Sequence, residues 1–425
     1  MMHFKYFCTQ LKQKTEKMRR ILLLFMMIAF ASTVVAQQTI LVTVENPSKV
    51  ARTDQPVVIS LANYGEVLSA LVKTGDEEIP CQLDDLNQDD CFDELCFLAD
   101  LKAKEKKQYA VTLYAEGEPR QYPARVYAEL LVRNSKVKEK NKHNNFLESI
   151  TARGDCADPY HILHHHGVEF ESELNGIRIY FDKRQTLDLY GKFQKRLELQ
   201  ETQFYTTKEQ KAEGYGDDVL WVGNTFGLGA FRGWDGQQPT MIEPVRSRTQ
   251  RIISYGPLRT IVELVDRGWQ YSPLSSLHSP LNLTLRYTQY AGHRDTEVDV
   301  YFNKPVADYL FSTGIINVKD SEEYSDHQGL RGCWGTDWPS SDHENFKPET
   351  VGLGICIPQS YIKSEEPANK DQYTFVIGTS DHHLNYKIIY CSANESFGYH
   401  SAKEWFDFLK SWKQTEVGQP VKVSY

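Results

Sequence analysis

Apolar and polar residues alternate along most of this chain with a period of two, the mark of strands that bury one face. Three such runs come early: Ile40-Leu41-Val42-Thr43-Val44, Pro56-Val57-Val58-Ile59-Ser60-Leu61 and Tyr109-Ala110-Val111-Thr112-Leu113-Tyr114. Turn formers at Asn46-Pro47 and Thr74-Gly75-Asp76 separate strands here, which predicts a small N-terminal β-sandwich domain over residues 37–120. Glu116-Gly117-Glu118-Pro119-Arg120 reads as the hinge after it. Aromatic and β-branched runs at 251–265, 281–290 and 296–302 then predict a large antiparallel β-sandwich over residues 121–425, with one sheet open to an extended ligand. The fold class is therefore mainly β. Long helices are scarce; the principal helical candidate is residues 401–413, where Trp405, Phe408, Leu409 and Trp412 recur at helical spacing and are expected to cover an end of the sandwich.

The N-terminus departs from this pattern. Met18-Arg19-Arg20, the apolar run 21–31 and Val34-Val35-Ala36 have the basic head, hydrophobic middle and small-residue exit of a secretory signal, so residues 1–36 are read as a signal peptide cleaved after Ala36. The remainder carries no membrane span by hydropathy and is expected to be periplasmic or secreted. Residues 1–36 hold six Lys/Arg and one Glu, so their removal takes the formal charge from −9 to −14, which argues against nucleic acid as a partner. Seven cysteines remain after residue 36, an odd number. Cys81 with Cys91 or Cys96 is the local bridge that export would permit, and no spacing forms a zinc signature. Asp84, Asp85, Asp89, Asp90, Asp93 and Glu94 form an acidic group suited to calcium in ligand type. It lacks a complete calcium-loop pattern, so no cofactor is expected.

Chemistry concentrates in residues 158–192, DPYHILHHHGVEFESELNGIRIYFDKRQTLDLYGK. As strands, Ile177, Ile179, Phe181, Leu187 and Leu189 turn to the core. Arg178, Tyr180, Asp182, Asp188, Tyr190 and Lys192 share the opposite face. In His164-His165-His166 the first and third imidazoles would share a face at a spacing suited to proton transfer or metal ligation, with His165 on the other. Loops add further groups. Gly223-Asn224-Thr225-Phe226-Gly227-Leu228-Gly229 lacks the lysine end of a phosphate loop, which excludes a nucleotide site of that type. Arg232 and Trp234 follow it, Tyr255 and Arg259 flank the turn Ser254-Tyr255-Gly256-Pro257-Leu258-Arg259, and Trp334 and Trp338 lie in CWGTDWP. Exposed indoles and phenols stack on the C–H faces of sugars, so these residues are the substrate-binding candidates.

The combination of HHHG, GIRIYFDKRQTLDLYGK, GDDVLWVGNTFGLGAF, SYGPLRTIVEL and YAGHRDTEVDV resembles an uncharacterised family of exported Bacteroidetes proteins, the domain-of-unknown-function family 4861. The resemblance spans nearly all of the chain after the leader. It implies a β-sandwich shaped like the mutarotase supersandwich and a place beside polysaccharide-degrading enzymes, often pectin-directed ones, but no catalytic residues to carry over.

The inventory and the resemblance together suggest a glycan partner and, as the leading expectation, a lyase that cleaves beside a uronic acid by β-elimination. That chemistry needs a base, an acid and a cation on the carboxylate. His164 or His166 would be the base, Tyr180 or Tyr190 the acid, and Lys192 or Arg259 the clamp. Three alternatives stand beside it. A glycoside hydrolase would draw two carboxylates from Glu169, Glu171, Asp188, Asp217 and Asp218. A mutarotase would need only an acid–base pair, and a non-catalytic glycan-binding module would use the tryptophans alone.

Overall fold

Alternation becomes structure in the strand Gln37–Glu45, where Val42 and Val44 are fully buried while their neighbours are half-exposed. The computed structural model describes residues 37–139, 141–156, 161–271 and 279–425. The leader and residues 158–160 of the histidine-rich stretch lie outside the described residues. The described chain is mainly β, and its named strands pair antiparallel throughout. Strands Gln37–Glu45, Lys106–Tyr114, Ser69–Thr74 and Glu77–Ile79 form one sheet; Arg52–Ser60, Glu94–Leu101 and Cys81–Asp84 form a second. Val42, Val57, Ile59, Val72, Phe97 and Val111 fill the space between them. The last strand, Lys422–Ser424, returns to pair with Gln37–Glu45.

The larger part of the chain builds a nine-stranded sheet whose central strands are Arg259–Trp269, Leu281–Tyr290, Asp295–Phe302 and His383–Ser392. Two five-stranded sheets lie against it. One contains Phe311–Ile316 and Gln372–Ile377; the other runs Asp217–Asp218, Leu187–Gly191, Gly176–Tyr180, Gly167–Ser172, Val126–Glu129. A single apolar cluster joins all three, bringing Val168, Phe170, Ile177 and Ile179 against Val262, Leu285, Tyr287 and Val298. This is the expected β-sandwich.

The longest helix among the described residues is Ala402–Trp412, beside the short helices Leu199–Thr202 and Lys208–Ala212. Ser401 caps it by accepting the Glu404 N–H at 3.3 Å, and Trp405, Leu409 and Trp412 are buried. They fit because the strands beneath carry Gly352 and Gly354: a Cβ at Gly352 would lie 2.8 Å from the Trp405 ring, and one at Gly354 2.8 Å from Leu409. Burying a side chain such as Leu409 contributes roughly 1.5–3 kcal/mol, which explains why this one amphipathic segment stays helical in a β protein.

Where the N-terminal sheets meet the large one, polar groups interlock. Arg259 Nε donates to Asp84 at 2.8 Å and its Nη2 to Glu94 at 2.7 Å, while the Gln82 side-chain oxygen accepts from Leu258 N and Arg259 N at 2.7 and 3.0 Å. The acidic loop is held by its own backbone, with Asp85 accepting from the N–H groups of Gln88, Asp89 and Asp90. Cys81, Cys91 and Cys96 are not bridged, so the local disulfide that export would permit does not form here.

Candidate functional site

The site begins with strand parity. Ile177, Ile179, Leu187 and Leu189 face the core, and Arg178, Tyr180 and Asp188 face away from it, as the sequence pattern requires. Register extends that polar face. Glu129 stands opposite Glu169, Glu169 opposite Arg178, and Arg178 opposite Asp188, so four charged residues cross four adjacent strands in one row. Directly opposed residues in an antiparallel pair share a face.

This face is not simply solvent-exposed. Residues following Gly191 fold back over its far end, where the N–H groups of Glu198 and Leu199 donate to Glu171 at 2.8 Å and the Tyr190 hydroxyl meets Thr206 at 3.0 Å. The uncovered end is a cleft of ≈ 510 Å³ lined by His166, Arg178, Tyr180, Asp188, Tyr205, Asp218, Trp221 and Phe346, among others.

At its floor two carboxylates share one cation. Arg178 Nη2 lies 2.5 Å from Asp188 Oδ2 and 3.3 Å from Asp218 Oδ2. The Tyr180 hydroxyl donates to the same Asp188 oxygen at 3.2 Å, and the Arg178 guanidinium packs 4.0 Å from the Phe204 ring centre. Burial, and next the negative charge of Asp188, push the Asp218 carboxyl well above the usual carboxylate range, with Arg178 acting in the opposite sense. The Asp218 side chain is 18% exposed and that of Asp188 2%, so Asp218 is the one that can meet a ligand. Burial and Asp188 also push the Tyr180 hydroxyl upward, which keeps its proton in place. Such a group of neighbouring carboxyls in unequal environments is the arrangement from which an acid and a base are drawn.

The histidines occupy a turn rather than a strand. His166 has φ 67°, in the left-handed region that breaks strand alternation before Gly167–Ser172 begins. It lines the cleft and stacks on Tyr180, ring centres 5.8 Å apart. His164 is buried behind the cleft wall, edge-on to Tyr205 at 5.5 Å. His165, expected on the other face, sits over Glu129 and Glu169 at 3.3 and 3.6 Å on this same polar face.

Of the remaining sequence candidates, most do not reach the cleft. Tyr190 is fully buried and donates to Gly216 O at 2.8 Å. Lys192 is fully buried against Glu171 at 2.5 Å and also donates to Ser172 O and Arg196 O. Arg259 holds the joint with Asp84. Arg232 is enclosed, donating to Asn224 O at 2.8 Å, and burial lowers its pKa to about 10. Trp234 is buried in a strand of the five-stranded sheet that contains Phe311–Ile316, its carbonyl accepting from Tyr271 at 2.6 Å. Tyr255 is 47% exposed at the turn beside the N-terminal sheets. Trp334 belongs to the strand Leu330–Asp337 and packs under the helix, and Trp338 stacks on His343 at 3.9 Å beside the cleft rim. The indole that does line the cleft is Trp221, 54% exposed; its signal in the sequence was the acidic pair Asp217-Asp218 three residues before it.

Among solved structures, the chain is similar to an alpha-mannosidase from Enterococcus faecalis V583, with a TM-score of 0.45 and 11% identity over 91% of this chain and 46% of that one. It is similar in the same degree to a protein of glycosyl hydrolase family 38 from Enterococcus faecalis: TM-score 0.45, 10% identity, 90% of this chain and 47% of that one. The chain thus spans less than half the length of either, and likeness at this level carries no functional argument. No curated protein matches the chain. The model of the family described as "Domain of unknown function (DUF4861)" matches residues 44–423, and the chain belongs to that family.

Proposed function

We propose that the cleft binds a neutral glycan and cleaves it by acid–base hydrolysis, with Asp218 as proton donor and Asp188 as the second carboxylate. The observation that carries this reading is the pair of carboxylates sharing Arg178 at the floor of an aromatic-walled cleft. Charge favours a neutral sugar over a uronate. The lining holds Asp188, Asp217, Asp218 and Asp342 against Arg178 and Arg184, and both guanidinium groups are engaged, Arg178 by Asp188 and Arg184 by Asp182 at 2.5 Å. A carboxylate ligand would meet net negative charge with each of these cations already paired. Asp188, 2% exposed and held by Arg178 and Tyr180, acts through its charge on Asp218 rather than by attacking the sugar.

One observation favours a second reading. His166 stacked on Tyr180 supplies a base and an acid side by side, as β-elimination requires. Products separate the two. Incubation with neutral and uronate oligosaccharides is expected to yield new reducing ends without ultraviolet absorbance. Absorbance from an unsaturated uronide would instead establish the lyase, and neither product would leave a binding protein.

Trp221 supplies the sugar platform in this reading. Trp221→Ala is expected to weaken glycan binding by roughly 0.5–1.5 kcal/mol, the scale of an aromatic stacking contact. Unfolding should change little, because an indole 54% exposed contributes little to the core. Titration calorimetry beside a thermal melt checks both, and a collapse of the melt with unchanged binding would remove Trp221 from the site.

A further inference from the structure

Beside the cleft, on the same polar face, lies a cluster that the proposed reaction does not use. Glu129, His165 and Glu169 each offer one ligand atom, these atoms lie within 4.8 Å of one another, and the three side chains are fully buried. His165 Nε2 is 3.3 Å from Glu129 Oε1 and 3.6 Å from Glu169 Oε1. Metal–ligand bonds of about 2.0–2.2 Å place tetrahedral ligands roughly 3.4 Å apart, and both imidazole–carboxylate distances match that spacing.

A second observation points to a ligand. No backbone or basic donor hydrogen-bonds either oxygen of Glu169, although the residue is 0% exposed; its carboxyl neighbour Glu129 could donate only if the pair held a proton. Two carboxylates placed opposite each other on adjacent strands repel, and a buried charge costs several kcal/mol unless a cation or a proton neutralises it. Arg178, the next residue in the row, is turned to Asp188 and Asp218. The other face of Glu129 is ordered by the Tyr127 hydroxyl, which donates to Oε2 at 2.5 Å, as outer-shell partners of metal ligands do.

We infer that Glu129, His165 and Glu169 bind a divalent transition cation of the zinc class, with one position left for water or another ligand. One imidazole with two carboxylates suits zinc or a neighbouring first-row metal, and the imidazole disfavours calcium and magnesium, which take oxygen ligands. The site stands apart from the hydrolysis reading, because it is judged by metal content and not by turnover.

The test uses the untagged chain after dialysis against a weak chelator. Elemental analysis is expected to find close to one equivalent of a first-row divalent metal. Removal by a strong chelator should lower the melting temperature, and added Zn²⁺ should restore it. Glu169→Gln, which keeps shape, and His165→Ala should each weaken Zn²⁺ affinity by at least about tenfold, since even outer-shell changes cost 10–100-fold. A metal-free protein whose melt does not respond to Zn²⁺ overturns the inference, and the two glutamates then share a proton. Metal retained at full occupancy in both variants also overturns it, by placing the ion elsewhere.

Discussion

Replacing Asp218 with Asn is expected to lower turnover on a cleaved glycan by at least about a hundredfold, the scale on which a general acid is lost. Asn keeps the size and can still face Arg178, so the loss isolates the proton. Burial and Asp188 hold the Asp218 pKa above the usual carboxylate range, and the acid works only while protonated. The wild-type rate should therefore fall as pH rises through that raised pKa, and the variant's residual rate should lack this alkaline limb. Stability follows pH in the same direction. A carboxyl whose folded pKa is raised stabilises the folded state fully only below the unfolded pKa, near 3.9, and loses that contribution as pH rises through the folded pKa. Asp218→Asn cannot ionise, so it should melt higher than the wild type at neutral pH. A pH–rate profile and melts at two pH values check the pair of claims. Unchanged turnover with a raised melt would leave Asp218 as a strained structural group and remove it as the acid.

Arg259→Ala should do the reverse, costing about 3–5 kcal/mol of stability with turnover preserved at a permissive temperature. Arg259 and Asp84 are buried to 4% and 2% side-chain exposure at 2.8 Å, and removing one partner leaves the other charge in low dielectric. Asp84 would keep only the neutral donors Ser254 and Gln82. Because Arg259 joins the large sheet to the N-terminal sheets, the loss should also make their unfolding less cooperative. Chemical denaturation followed by two probes, beside an activity assay, measures this. Equal stability with lost turnover would return Arg259 to the carboxylate-clamp role that its sequence context suggests.

The contrast between these two residues shows where the sequence was informative. Both are charged residues near a turn or strand end in a polar, aromatic context. Asp218 reaches the cleft because its two-residue strand pairs with Tyr190-Gly191, and Arg259 does not because Asp84 and Glu94 arrive from more than 160 positions earlier. Nothing local to either residue distinguishes them.

What the chain determines by itself is parity and period. Strand alternation turned Ile177, Ile179, Leu187 and Leu189 inward and placed Arg178, Tyr180 and Asp188 together, because side chains on a strand can only alternate. The same logic of period gave the helix Ala402–Trp412 and its buried face. Only the tertiary structure decided which part of the polar face is open. Tyr190 and Lys192 share it with Arg178 by parity, yet the segment that folds back after Gly191 closes over them and consumes their hydrogen bonds. Trp221 and Phe346 complete the cleft from connections with no periodic signal, and the left-handed turn at His166 sends three successive histidines where no strand would. Periodicity encodes the faces of elements; long-range pairing and covering loops, which it does not encode, choose the functional part of a face.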